Sequence, residues 1–177
     1  MPAPSARPSS CDRPWSGALP DLEGLLERLI RYRVEFVVIG GFAAVAHGVT
    51  LLTQDIDICC RLAPDNLMRL QDALADIHPV HRMPPSRPPL HLTPETATEF
   101  HNLYLETDWG QLDCLGEVLG VGDYEQALAA SVSVSLPAGP CLILSIEALI
   151  RAKETMGRER DRQAILQLRA IREHGGA

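Results

Sequence analysis

The run Asp55-Ile56-Asp57-Ile58 is the segment around which the rest of this chain has to be arranged. Successive side chains of a strand point to opposite faces, so in residues 54–60 (QDIDICC) two carboxylates share one face and two isoleucines the other. The isoleucine face calls for a core. The acid face calls for positive charge, because neighbouring carboxylates repel and raise each other's pKa unless a cation lies between them. Hard oxygen donors with room for water and phosphate suit Mg²⁺ or Mn²⁺. An exposed edge strand whose acids face water satisfies the same pattern, so the pair gains meaning only from its company.

That company is ordered along the chain. Residues 20–32 repeat leucine and isoleucine at helical spacing, and residues 35–39 (EFVVI) form a short β-branched run. The run stops at Gly40-Gly41 and opens into the alanine-rich helical piece FAAVA. A strand-to-helix junction without Cβ atoms lets a phosphate approach backbone amides at the positive end of a helix. A tight turn or a fragment of a dinucleotide fold is the other reading of Gly40 and Gly41, but Phe42 and Val45 occupy the later glycine positions of that fingerprint. Residues 64–77 carry a helical leucine stripe. Residues 79–94 hold six prolines, which predicts a long loop. Residues 100–107 and 111–115 predict a hairpin turned at Asp108-Trp109-Gly110. A short helix at 124–130, a strand at 131–136 (SVSVSL), a helix from Ile146 capped by Ser145, and a last helix over 159–173 complete the expected order. The pattern predicts one α/β or α+β domain over residues 19–177 with a helical C-terminus, preceded by a loose Pro/Ser/Ala-rich tail at 1–18.

Composition narrows the function. A net charge of −7 argues against binding a polyanion by bulk charge, because such binders need a basic face to displace counterions. Five cysteines without CxxC spacing read as reduced core thiols. No apolar stretch nears the ~20 residues that span a bilayer, and the start lacks a secretion signal, so a cytoplasmic protein is expected.

Two further groups carry chemistry. Asp113 lies in an apolar strand (QLDCL), where an unpaired buried charge is costly; it either points outward from an edge or joins Asp55 and Asp57 in a site for one or two cations. Lys153, the only lysine in the chain, shares a helix face with Leu149 and Ile150. Asp161 precedes Ile165 by four residues and also faces inward. A buried salt bridge and a phosphate-binding role are both open to the pair. His78 and His81 form an HxxH in a proline-flanked loop, a poor zinc site, and His47 reads as a capping or packing histidine. Arg82 and Arg87 are able to reach an anionic substrate from the loop, although loop arginines usually just solvate.

Taken in order, VVIGGFAAVAHG, the DIDICC strand preceded by Thr53, LDCLGEV and LSIEALIRAKETMGRERDRQAILQL resemble the signature of the nucleotidyltransferase superfamily. The likeness is greatest to its bacterial branch of abortive-infection and toxin-type minimal enzymes, and it covers residues 22–168. It implies a mixed β-sheet flanked by helices with a C-terminal helical pair. Asp55, Asp57 and Asp113 would hold Mg²⁺ or Mn²⁺, with Asp113 drawing the proton from an acceptor hydroxyl. Gly40, Gly41 and Thr53 would seat a nucleoside triphosphate. Lys153 would balance its charge, and Asp161 would orient the lysine or touch the nucleotide. The implied reaction moves a nucleoside monophosphate onto tRNA, protein or a small molecule and releases pyrophosphate, and the toxin-type branch suggests an antitoxin partner. Many relatives carry arginine four residues before the first acid, where this chain has Leu51. That departure motivates a second expectation, a catalytically silent module of the same fold that binds a nucleotide or a partner protein.

Overall fold

Helix α1 (Leu22–Arg31) begins where Asp21 accepts the N–H of Gly24 at 2.9 Å, and its fully buried Leu25, Leu26 and Leu29 form one face. The computed structural model describes residues 20–137 and 139–174; the expected tail at 1–18, Cys11 included, lies outside them. The chain continues through β1 (Phe36–Ile39), α2 (Gly40–Ala46), β2 (Asp55–Cys60) and α3 (Pro64–Leu74), which ends in a 3₁₀ turn at Ala75–Ile77. Strands β3 (Val80–His81), β4 (Asn102–Thr107) and β5 (Gly110–Leu115) follow, then a two-stranded ribbon of β6 (Glu117–Val118) and β7 (Gly122–Asp123). Helix α4 (Tyr124–Ala129), the hairpin β8 (Ser131–Leu136) and β9 (Gly139–Leu144), α5 (Ile146–Met156) and α6 (Arg162–His174) complete it.

Seven strands form one mixed sheet in the order β3-β4-β5-β2-β1-β9-β8, flanked by helices and closed by the α5–α6 pair, an α+β architecture of the kind the sequence predicts. Strand β2 lies in the interior, antiparallel to β1 and parallel to β5. The antiparallel β1–β2 pairing excludes a dinucleotide-binding crossover, which joins parallel strands. On one face Ile56, Ile58, Leu103, Leu105 and Leu112 are at most 1% exposed, and they share one core with the buried leucines of α1 and α3. Burial at that density is what fixes the register: a slip of one residue in β2 would bring the carboxylates into this core.

Two strands depart from expectation. The proline-rich segment is a loop in the main, yet Val80–His81, in the four-residue proline-free run between Pro79 and Pro84, adds as an edge strand to β4. Strand β9 was not expected, because Gly139 and Pro140 open it, and it slots between β1 and β8 through a parallel pairing with β1. Cys59, Cys60, Cys114 and Cys141 are free and buried, as core thiols should be; burial pushes Cys59 and Cys60 up to about 12 and Cys141 to about 11. Among the described residues no helix is long and apolar enough to cross a membrane.

Asn66, fully buried on α3, fastens the ends of β1 and β2. Its amide donates to the carbonyls of Glu35 (3.0 Å) and Arg61 (2.8 Å), and its oxygen accepts the N–H of Glu35 at 2.8 Å. Asn66→Ala takes the partner from the Glu35 N–H and the Arg61 carbonyl, while the Glu35 carbonyl keeps the Arg61 N–H at 3.2 Å, at a cost on the order of 3 kcal/mol. Thermal denaturation should show a midpoint lowered by about 6–12 °C for a chain of this size; an unchanged midpoint would contradict the clamp.

Candidate active site

The acid face of β2 meets the end of β1 at Gly40. This residue has φ +66°, a conformation that glycine adopts without strain. A Cβ here would lie 2.0 Å from Oδ2 of Asp57, so the absence of a side chain at residue 40 is what makes room for the Asp57 carboxylate. Gly41 plays the same part toward Thr53, whose hydroxyl would sit 3.0 Å from an added Cβ. That hydroxyl lies 3.1 Å from both the carbonyl and Oδ1 of Asp55, holding the first acid against the start of its strand. The glycine turn therefore shapes space around the acids; it opens α2, a short helix, with its first two residues.

Sheet register brings the third acid in. Asp57 is the cross-strand partner of Ile39 on β1 and of Asp113 on β5, and Asp113 is in turn the partner of Tyr104 on β4. Asp113 is 8% exposed and lies in an interior strand, so it does not point outward from an edge. Burial, then the charges of Asp55 and Asp113, raise the Asp57 pKa from 3.8 to about 6, while Lys153 and Arg158 pull it back. Asp113 is also raised, first by burial, with Arg82 opposing the shift.

Arg82 is the residue that the sequence reading misplaced. Far from solvating freely, its Nη2 donates to Oδ1 of Asp113 at 2.6 Å and also reaches Oδ2, and its Nε is 3.2 Å from Oδ1. The strand pairing at Val80–His81 delivers it: the Arg82 N–H bonds the Tyr104 carbonyl at 2.9 Å, and the guanidinium lies 5.6 Å from the centre of the Tyr104 ring. Since Tyr104 is opposite Asp113, one register row carries the arginine to the acid. Nothing local marks Arg82, because the pairing that places it joins segments more than twenty residues apart.

Lys153 and Asp161 both face inward, as their helical spacing predicts. Nζ donates to Oδ1 of Asp161 at 2.7 Å, and the side chains are 6% and 10% exposed. Oδ2 of Asp161 is buried and, among the described residues, has no hydrogen-bond partner. A carboxylate oxygen in that condition is costly, which leaves a place for a further donor. Arg158, on the turn between α5 and α6, is exposed and close enough for Asp57 to feel its charge.

The other histidines stay outside this centre. His47 Nε2 lies 2.7 Å from the Leu144 carbonyl, a packing contact. His78 pairs with Asp108 at 2.6 Å and His81 stacks on Phe100, so the HxxH is not a shared site. A hollow lined by Phe36, Tyr124, Pro140 and Cys141 lies at the start of β1, the opposite end from Asp57.

Hard oxygen donors on one face and a carboxylate raised by burial and by its like-charged neighbours fit a divalent cation held by Asp55 and Asp57, with Asp113 as a third donor. Among the described residues no group of three or more His, Cys, Asp and Glu side chains is already set to hold a metal ion. In this arrangement both oxygens of the third acid are bonded to Arg82. No protein-family model matches the chain, and a search of curated proteins finds no match.

Asp57 links this geometry to stability. Its pKa is higher folded (about 6) than unfolded (3.8), so its contribution is full below about pH 4 and is lost as pH rises towards 6. Asp57→Asn removes that loss. In EDTA the variant should match the parent near pH 4 and melt on the order of 5 °C higher above pH 6.5. Millimolar Mg²⁺ should raise the parent's midpoint and leave the variant's unmoved. A parent–variant difference independent of pH would contradict the charge cluster.

Proposed function

We propose that the chain is a Mg²⁺-dependent nucleotidyltransferase that moves a nucleoside monophosphate from a triphosphate to an acceptor hydroxyl. The observation that carries the reading is the placement of Asp55, Asp57 and Asp113 on one face of adjacent parallel strands beside the Gly40 turn. Free buried thiols fit a reducing, cytoplasmic setting. Tail-to-tail with the motif likeness, from Gly40 to the α5–α6 pair, this placement supports the nucleotidyltransferase superfamily, and its toxin-type branch, over other carboxylate chemistries.

The reaction forms a bond from the acceptor oxygen to the α-phosphorus and breaks the bond from that phosphorus to the oxygen of the leaving pyrophosphate. Asp113, freed from Arg82 on at least one oxygen, takes the acceptor proton. Gly40 and Gly41 make room for the Asp57 carboxylate and the Thr53 hydroxyl beside the strand end, and Thr53 holds Asp55 in place to meet the phosphates. Lys153, positioned by Asp161, and Arg158 set positive charge behind the acids. Mg²⁺ held by the acids would neutralise the phosphates and stabilise charge that builds on the attacking and leaving oxygens. Arg82 is well placed to turn from Asp113 to the phosphates as charge accumulates there. The acceptor, whether tRNA, protein or small molecule, is left to experiment, as is an antitoxin.

A second reading, a silent module that binds a nucleotide or a partner protein, is favoured by two features: Arg82 already closes Asp113, and Leu51, 43% exposed, offers no charge to a triphosphate.

Incubation with α-labelled triphosphates, Mg²⁺ and cell extract should put label into an RNA, protein or small-molecule fraction. Asp57→Asn should cut the rate by roughly 10³-fold, the scale of losing a principal charge-stabilising group. Calorimetry separates the rivals: the enzyme binds triphosphate only with Mg²⁺, whereas the silent module binds its ligand without regard to metal. No label from any of the common triphosphates, with metal-independent binding, would overturn the first reading.

A further inference from the structure

The two edges of the sheet are built in opposite ways. At the β3 edge the strand is two residues long, its outer side is bridged by the proline-rich loop through Val80 and Pro89, and Arg82 and Arg87 follow it. Those are the devices by which proteins keep an edge from pairing with another chain. At the far edge β8 is six residues, SVSVSL, with no proline and no charge. Its partner β9 uses one side only, so the backbone N–H and C=O groups that point away from β9 have no strand to meet among the described residues. Val132 is 40% exposed, Ser133 and Ser135 are exposed, and Val134 and Leu136 are partly so.

We infer that β8 is the contact edge of a homodimer and pairs antiparallel with β8 of a second copy. The alternation of serine and valine is complementary to itself. With Ser133 opposite Ser133, Val132 falls opposite Val134; with Val134 opposite Val134, Val132 falls opposite Leu136 and Ser133 opposite Ser135. In either register apolar side chains meet on one face and hydroxyls on the other. Charge selects the same edge. Each copy carries −7, so two copies repel through most of their surfaces, and an uncharged strand is where they approach at least cost. β1 and β9 stand between β8 and the acids of β2, so pairing here leaves the site open. A single strand pair is a small contact beside the ~1,600 Å² of a standard interface, so the dimer is expected to be weak and is looked for at micromolar concentrations.

Light scattering behind size exclusion, run from roughly 5 to 200 µM to bracket a micromolar Kd, should show the mass rise to twice the 19.4 kDa of the chain. Amide exchange at residues 131–136 should slow over the same range. The doubly substituted S133K/S135K, at exposed positions, should keep the parent's circular dichroism and stay at single mass. A parent that remains at 19.4 kDa throughout, or a dimer that survives both lysines, would overturn the inference, including the case in which another segment of the chain covers the edge.

Discussion

Repulsion among Asp55, Asp57 and Asp113 is the interaction to which the centre of this structure answers. Sheet register forces the three together, since β2 and β5 run parallel with Asp57 opposite Asp113. The register itself is held by the opposite face, where Ile56, Ile58 and Leu112 are wholly buried. Apolar burial thus compels a concentration of negative charge that the fold alone would not favour. Asp57 records the conflict: burial first, and then the charges of Asp55 and Asp113, shift its carboxyl to about 6, well above the usual carboxylate range.

Positive groups from three directions moderate the conflict without ending it. Arg82 comes from the β3 edge and satisfies Asp113. Lys153 comes from α5, committed through one hydrogen bond to Asp161, and Arg158 comes from the following turn. None of them makes a hydrogen bond to Asp55 or Asp57 that is seen in this arrangement. A small divalent cation with oxygen preference is the compensation that the proposed function would bring to such a face. Gly40 has its place in the same account, because any larger residue would stand where the Asp57 carboxylate now lies.

Much of this was legible in the sequence because it rests on short-range rules. The period-2 run gave one acidic and one apolar face at Asp55–Ile58, and helical spacing turned Lys153 and Asp161 inward, where they pair at 2.7 Å. Glycine at the junction after β1 was readable as a turn without Cβ atoms open to a phosphate; that the Asp57 carboxylate fills the space beside Gly40 was not. Arg82 was not readable, since only the long-range row through Tyr104 and Asp113 brings it in, and a proline-rich context suggests a solvated loop. Strand β9 was hidden for a related reason: Gly139 and Pro140 are weak strand residues, and the parallel partner that stabilises it, β1, is about a hundred residues earlier. Local patterning specified the faces of each element, whereas non-local pairing decided which charges meet.

The most direct test is anomalous diffraction from crystals soaked with Mn²⁺ and a non-hydrolysable nucleoside triphosphate. The account predicts a peak within roughly 2.3 Å of carboxylate oxygens of both Asp55 and Asp57, with Arg82 withdrawn from at least one oxygen of Asp113. Absence of a peak under those conditions, with the arginine still on both oxygens, would contradict the claim that these acids form a metal-dependent nucleotidyl-transfer site.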